Sequence, residues 1–258
     1  MEIVPKVKSA HRVLELLEYF AETRRPATIK EISQSLGYPQ SSTSVLMKSL
    51  TVSGYFDHES RTGMYAPNLR VALATAWIQD EMYSAHSLLR LMEGVLERSG
   101  HTVMIGVQQG IHVRYLHVLQ ATRIGRFTTS NGALRPLFHS AAGVMLLTTK
   151  TDREVGSILR KVNALERDGS LRLAIEEARK RIAQARRDGY AFSAGTSMPG
   201  AAALAMLLPT RKGDEPMTLS VGGPIGEIRR DKSLLIGTLN ELVEPFRQAM
   251  MVGGADFP

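Results

Sequence analysis

The fold class this sequence predicts is α+β, arranged as a small N-terminal domain followed by a larger one, and three observations predict it. The chain has 258 residues, long for one simple domain and comfortable for two. Residues 1–70 carry apolar side chains at helical spacing, then two short strand-like runs. Beyond residue 100 the pattern mixes period-two apolar runs with amphipathic helices.

Composition sets outer limits. Hydrophobic residues at 43% and charged residues at 22% fit a packed globular protein and exclude bulk disorder. The formal charge of +7 favours an anionic partner, of which nucleic acid is the commonest, although many basic proteins bind none. The chain has no cysteine, which excludes disulfides and thiolate metal sites. Met1–Ser9 lacks the apolar core of a signal peptide, and the longest apolar run, Ala201–Leu208, is too short to span a bilayer. A cytoplasmic protein with no membrane partner is expected.

In the first domain, residues 9–22 place Val13, Leu16, Leu17 and Phe20 on one helical face, and Arg24-Arg25-Pro26 ends the helix. Thr28 reads as an N-cap, with Glu31 completing a capping box. The short helix it opens turns Ile29, Ile32 and Leu36 inward and stops at Gly37. Pro39 suits the first position of a third helix, which carries Leu46, Met47 and Leu50 and ends near Ser53-Gly54. Strands Tyr55–His58 and Met64–Ala66 flank the turn Glu59-Ser60-Arg61-Thr62-Gly63. Helix, helix, turn, helix, hairpin is the order of a winged helix-turn-helix, assigned to residues 1–68.

Residues 69–82 form a linker helix, with Leu69, Ala72, Leu73, Ala76 and Trp77 as one apolar stripe for a partner or for the domain's own core. Residues 83–258 make the larger domain. Its expected elements are a helix over Ala85–Ser99, strands over Thr102–Val107, Ile111–Leu119 and Gly125–Thr129, and an apolar helix over Phe138–Thr149. Polar helices over 151–161 and 171–187, strands Ala201–Leu208 and Met217–Gly222, and a final helix Asp231–Met251 complete it.

In a helix-turn-helix the second helix of the pair enters the major groove, its N-terminal residues toward base edges and phosphates. That segment here is Gln40 to Lys48. Gln40 has the amide to pair with adenine, Ser41, Ser42 and Ser44 have hydroxyls for bases or phosphates, Val45 suits a thymine methyl and Lys48 a phosphate. Arg61 at the hairpin tip is placed for the minor groove or backbone, with Arg12 and Lys30 as further phosphate contacts. Serine and threonine clusters also serve as caps and turns, and the order of the surrounding elements is what favours the binding reading. Residues 1–70 hold nine Lys and Arg against seven Asp and Glu, a balance of only +2. Binding by a monomer is therefore expected to be weak, and dimeric recognition of a palindromic operator in double-stranded DNA is the expectation.

Four segments, Gly37-Tyr38-Pro39-Gln40-Ser41-Ser42-Thr43, Gly54-Tyr55-Phe56 through Gly63-Met64-Tyr65, Leu137-Phe138-His139-Ser140-Ala141-Ala142-Gly143, and Ser220-Val221-Gly222-Gly223-Pro224 with Asp188-Gly189-Tyr190 before it, together resemble the IclR-type bacterial transcriptional regulators. The resemblance spans nearly the whole chain, and the ordered set carries it. It implies a GAF-like effector domain, homodimers or tetramers, a palindromic operator near a catabolic or stress gene, and action as repressor or activator. The effector would be a small molecule such as a catabolic metabolite or an aromatic or other organic acid. Carried over by position, its pocket falls at Phe127, Ala141, Ala142, Ser193, Ala201, Ala203, Ser220 and Gly222. The chain departs from the pattern at four places. Ser193 stands for a pocket carboxylate, Ala202 for an arginine, Gly222 for a serine and Val45 for a recognition-helix arginine. Such a pocket suits a bulkier, more apolar ligand, or marks an effector-independent regulator or scaffold.

No catalytic motif, metal site or cofactor motif emerges, and the chain is expected not to be an enzyme. His112 and His117 sit five apart on one strand and so on opposite faces. His139 beside Ser140 lacks a nucleophile elbow, and Ser140 reads as a helix cap. Gly222-Gly223-Pro224-Ile225-Gly226 reads as a tight turn after a strand. Arg123, Arg126 and Arg135 read as a solvated surface ahead of an anion site.

Overall fold

The computed structural model describes residues 7–82, 88–121, 128–166, 172–210 and 213–252. The chain divides into two compact units, Met1–Glu81 and Met82–Pro258.

The first unit holds helices α1 (Lys8–Thr23), α2 (Ile29–Leu36) and α3 (Gln40–Val52) and strands β1 (Ala27–Thr28), β2 (Phe56–Glu59) and β3 (Met64–Pro67). The capping box at Thr28 forms in full. Its hydroxyl accepts from the Glu31 N–H at 3.3 Å and the Glu31 carboxylate accepts from the Thr28 N–H at 2.8 Å. Gly37 ends α2 at φ +68°, a left-handed conformation that glycine takes without steric cost. Pro39 stands one residue before α3, as its cap, instead of opening the helix. The expected hairpin gains a third strand, giving the order β1-β3-β2, with Ala27 opposite Tyr65. Leu16, Phe20, Ile32, Met47, Phe56 and Tyr65 close one core, with the Phe20 and Phe56 rings edge-on at 5.5 Å. Helix α4 (Leu69–Met82) then begins, its Leu69 and Leu73 both exposed. The Trp77 side chain lies outside the described residues.

The second unit is a six-stranded antiparallel sheet in the order β6-β5-β4-β9-β8-β7, covered on both faces by helices. Its strands are β4 (Thr102–Gln109), β5 (His112–Leu119), β6 (Leu134–Pro136), β7 (Ala191–Ala194), β8 (Ala201–Leu207) and β9 (Met217–Pro224). Its helices are α5 (Leu88–Ser99), α6 (Ala141–Leu147), α7 (Asp152–Leu165), α8 (Ile175–Asp188), α9 (Ile225–Arg230) and α10 (Lys232–Val252). Strand alternation divides the core. Ile105, Leu204, Met206, Leu219 and Val221 pack with α5, α9 and α10. Met104, Val113, Tyr115 and Ala205 pack with α6, α7 and α8.

Several expectations change. Leu116 is skipped in the β4–β5 ladder, where Ile105 pairs with His117 and Gly106 with Tyr115. That bulge resets the alternation, so odd spacing no longer sets His112 and His117 on opposite faces. The glycine-rich run is no turn: β9 continues to Pro224 and α9 starts at once. The expected final helix forms as α10, and a short helix that the sequence did not mark, α9, precedes it and ends at Asp231 (φ −91°, ψ 5°). The strand expected at Gly125–Thr129 falls mostly outside the described residues, and Thr128 and Thr129 are in no strand. Helix α6 starts at Ala141, later than the expected Phe138, because Ser140 caps it, accepting from Gly143 N–H at 3.2 Å. A Cβ on Gly143 would lie 2.0 Å from the Leu137 carbonyl oxygen, so the small-residue run ending in glycine is a close-approach device.

Candidate functional site

On α3, Thr43 and Met47 are buried while Gln40, Ser41, Val45 and Lys48 are exposed, and Ser42 and Ser44 are half-buried. Gln40, Ser44 and Lys48 follow at four-residue intervals, and Ser41 and Val45 form the adjoining row, so they present one continuous face. Val45 is 70% exposed, a solvated apolar side chain in the middle of that face. Helix α3 has no acidic residue to repel phosphate.

What aims the helix is a set of contacts that the sequence did not disclose. The Tyr38 hydroxyl, in the turn between α2 and α3, donates to the Glu15 carboxylate, and the Arg12 guanidinium lies 4.7 Å from the centre of the Tyr38 ring. Arg12 thus braces the turn. At the far end of α3, Gly54 sits at φ +78° and a Cβ there would meet Arg70 Nη1 at 2.8 Å. Arg70 itself lies over the Tyr55 ring at 4.8 Å and donates to the Ser53 carbonyl at 3.2 Å. In the hairpin, His58 stacks on Tyr65 at 4.3 Å. Arg61 projects from its turn, 90% exposed, with Glu59 3.9 Å away. Lys30 is exposed near the start of α2.

In the second unit, Ser193, Ala201 and Ala203 line a small cavity of about 20 Å³ with Met104, Tyr115, Arg135, Ser140, Ser197 and Met198. The Ser193 hydroxyl accepts from the Ala141 N–H at 3.2 Å, tying β7 to the start of α6. Ala141 and Ala142 are buried there. Gly222 pairs with Ala203 across the β8–β9 ladder, and Ser220 lies opposite Met104 and Ala205. The Ser220 hydroxyl is fully buried without a hydrogen-bond partner among the described residues. Phe127, Arg123 and Arg126 lie outside the described residues.

Arg135 is not the solvated residue that the sequence suggested. It is half-buried in the cavity wall, donates to Thr129 Oγ1 at 3.0 Å and to the Leu134 carbonyl at 2.9 Å, and lies 5.7 Å from the Tyr115 ring centre. Burial pushes the Tyr115 phenol above its ordinary value, and the Arg135 charge partly opposes that. Arg135 has no carboxylate within 4.0 Å among the described residues. A cation with hydroxyls beside it and no acid is a lining suited to an anion.

Elsewhere, buried His101 stands 3.6 Å from Asp231. Asp231 is held below the usual carboxylate range first by its hydrogen bond from Arg230 and further by His101. Among the described residues no group of three His, Asp or Glu could hold a metal, and no helix is long and apolar enough to cross a membrane.

A winged helix-turn-helix with an exposed α3 face, followed by an α+β unit with a lined cavity, defines the class: DNA-binding transcriptional regulators of the one-chain, two-unit kind. The family model for the IclR helix-turn-helix domain matches residues 9–58, and that for the bacterial transcriptional regulator IclR C-terminal region matches residues 80–247. The chain belongs to the IclR family of bacterial transcriptional regulators, which are DNA-binding proteins and not enzymes. The transcriptional repressor IclR of Escherichia coli K12 is 24% identical over 239 residues, 91% of this chain and 86% of that protein. The repressor AllR of the same organism is 23% identical over 235 residues, 90% and 86% of the two chains. Among solved structures, an IclR family transcriptional regulator from Brucella abortus aligns with a TM-score of 0.54 at 22% identity, over 96% of this chain and 94% of that one. The effector domain of the transcriptional regulator IclR from Acinetobacter sp. ADP1 aligns at 0.60 and 24% identity, over 65% and 98%. At such identities these structural likenesses speak for the fold.

Proposed function

We propose that this regulator is ligand-responsive: α3 reads a palindromic operator as part of a homodimer or tetramer, and the cavity of the second unit takes a small organic anion. Gln40, Ser41, Ser42, Ser44 and Val45 meet bases or phosphates, and Lys48, Lys30 and Arg61 meet phosphates. Residues 1–68 serve as the DNA-binding domain, 69–82 as the linker helix and 83–258 as the effector and oligomerisation domain. The observation that carries the effector reading is Arg135, a half-buried guanidinium in the cavity wall without a carboxylate partner among the described residues. The match of residues 80–247 to the family model for the IclR C-terminal region supports it. At about 20 Å³ the cavity has room for about one water, so a ligand must open it. Opening is the event that binding would couple to the DNA-binding unit.

Retention of the chain's own upstream DNA over unrelated DNA in a mobility shift at about 0.15 M salt tests the first part. Gln40→Ala is expected to lose that preference, and Lys48→Ala to weaken binding to all sequences about equally. The absence of preference for any sequence in a genomic selection would overturn it. Melting with two- to four-carbon carboxylates tests the second: the wild type is expected to be stabilised by at least one of them and Arg135→Gln by none.

A further inference from the structure

A second, larger cleft lies behind the same wall. It has a volume of about 380 Å³, within the range of small-molecule sites, and it shares Ser140 and Ser193 with the inner cavity. Strand β7 forms its floor. Among the described residues β7 pairs only with β8, so its outer edge keeps unpaired peptide groups. Tyr190 and Phe192 contribute aromatic rings from one face of the sheet and Phe138 from the other.

The described lining of this cleft carries three cations, Lys180, Arg181 and Lys232, against two carboxylates, a balance of one positive charge. Both acids are hydrogen-bonded along α8. Glu177 accepts from Arg181 Nε at 2.8 Å, and both oxygens of Asp188 accept from Gln184 Nε2 at 2.8 and 2.7 Å. Lys180 and Lys232 have no carboxylate within 4.0 Å among the described residues. Lys232 is half-buried, its ammonium 5.1 Å from the Tyr190 ring centre and 5.2 Å from that of Phe192. Two ring faces hold this cation at the cleft wall without neutralising it.

We propose that this cleft is a second ligand site, for an aromatic carboxylate. The ring of the ligand would pack on Tyr190 and Phe192, and its carboxylate would accept from Lys232 with Lys180 at the rim. A carboxylate suits an ammonium already stripped of part of its water, and a flat ring suits two neighbouring aromatic side chains on one face of the sheet. The site is separate from the inner cavity, whose cation is Arg135, and it does not depend on the reading of that cavity. The shared Ser140–Ser193 wall is the part through which occupancy of one site would be felt at the other.

Fluorine NMR of para-fluorobenzoate with the full chain tests it, with neutral para-fluorobenzamide as the control. Saturable broadening of the benzoate and little of the amide is the expected result. Lys232→Met keeps the apolar stem on the two rings and is expected to weaken binding about tenfold at an unchanged melting temperature. Lys180→Gln, at an exposed position, weakens it less, and Arg135→Gln leaves it unchanged. Benzoate binding that survives Lys232→Met, an amide that binds equally well, or no saturable binding overturns the proposal. Loss in Arg135→Gln with no loss in Lys232→Met also overturns it, by placing the ligand in the inner cavity and so favouring the first reading.

Discussion

Replacing Lys48 by alanine tests the docking of α3 through a quantity that folding does not mimic, the salt dependence of binding. Lys48 is exposed on a helix without acidic residues and makes no ion pair among the described residues. Its removal should therefore change stability by no more than about 0.5 kcal/mol. With Lys30, Lys48 and Arg61 each on one phosphate, a dimer on two half-sites neutralises about six, and log K falls with log salt at a slope near about −5.4. Lys48→Ala removes two of those contacts and brings the slope to about −3.6. Between about 0.05 and 0.2 M salt the wild type then loses about three decades of affinity and the variant about two. Anisotropy of a labelled operator fragment across that range measures both slopes. A variant that binds more weakly at every salt concentration with the wild-type slope would refute the phosphate role and leave Lys48 as a residue acting through the fold.

Three further outcomes follow from packing and charge. Met47 is fully buried in the core of the first unit, so Met47→Ala should cost about 2–5 kcal/mol there, abolish operator binding and split thermal melting into two transitions; a single cooperative transition would contradict independent cores. The depressed carboxyl of Asp231 gives stability that is present above its ordinary value of 3.8 and lost as pH falls through the lower folded value, so the melting advantage of wild type over Asp231→Asn should be constant near neutrality and vanish in strong acid. The fully buried Ser220 hydroxyl has no hydrogen-bond partner among the described residues, so Ser220→Ala should raise stability by about 1 kcal/mol, and a clear drop in denaturant midpoint would show that the hydroxyl is satisfied in solution.

The first unit was legible because its punctuation is local. Thr28 with Glu31, Gly37, Gly54 and Gly63 mark element ends by chemistry confined to a few residues. The two-residue β1 is too short to show a period, and it exists only because Ala27 can pair with Tyr65 across the unit. Strand β6, Leu134–Pro136, and strand β7, Ala191–Ala194, were missed for the same reason. The bulge at Leu116 is invisible in principle, since one skipped residue leaves the apolar count unchanged. The exposed face of α3 could be anticipated from helical periodicity. The inward placement of Arg135 could not, because it depends on a three-residue strand that the sequence hides.

Ser193 links these strands to the chemistry. Its hydroxyl accepts from the Ala141 N–H, leaving Arg135 as the only charged side chain among the described residues of the inner cavity wall. An acid at this position would cancel that charge, whereas a hydroxyl leaves it available. Opening the wall breaks one neutral hydrogen bond, about 1 kcal/mol, which is small against the ~5.5 kcal/mol of differential affinity that a complete switch requires. An anion that gains a bidentate contact from Arg135 can therefore dominate the balance. Ser193→Asp keeps an acceptor for Ala141 and should preserve the fold, yet it should weaken any carboxylate that stabilises the wild type through Arg135 by about tenfold or more. Titration calorimetry with that carboxylate decides the point: equal affinity in Ser193→Asp would mean that the ligand does not approach this wall, and the charge argument for the inner cavity would fall with it.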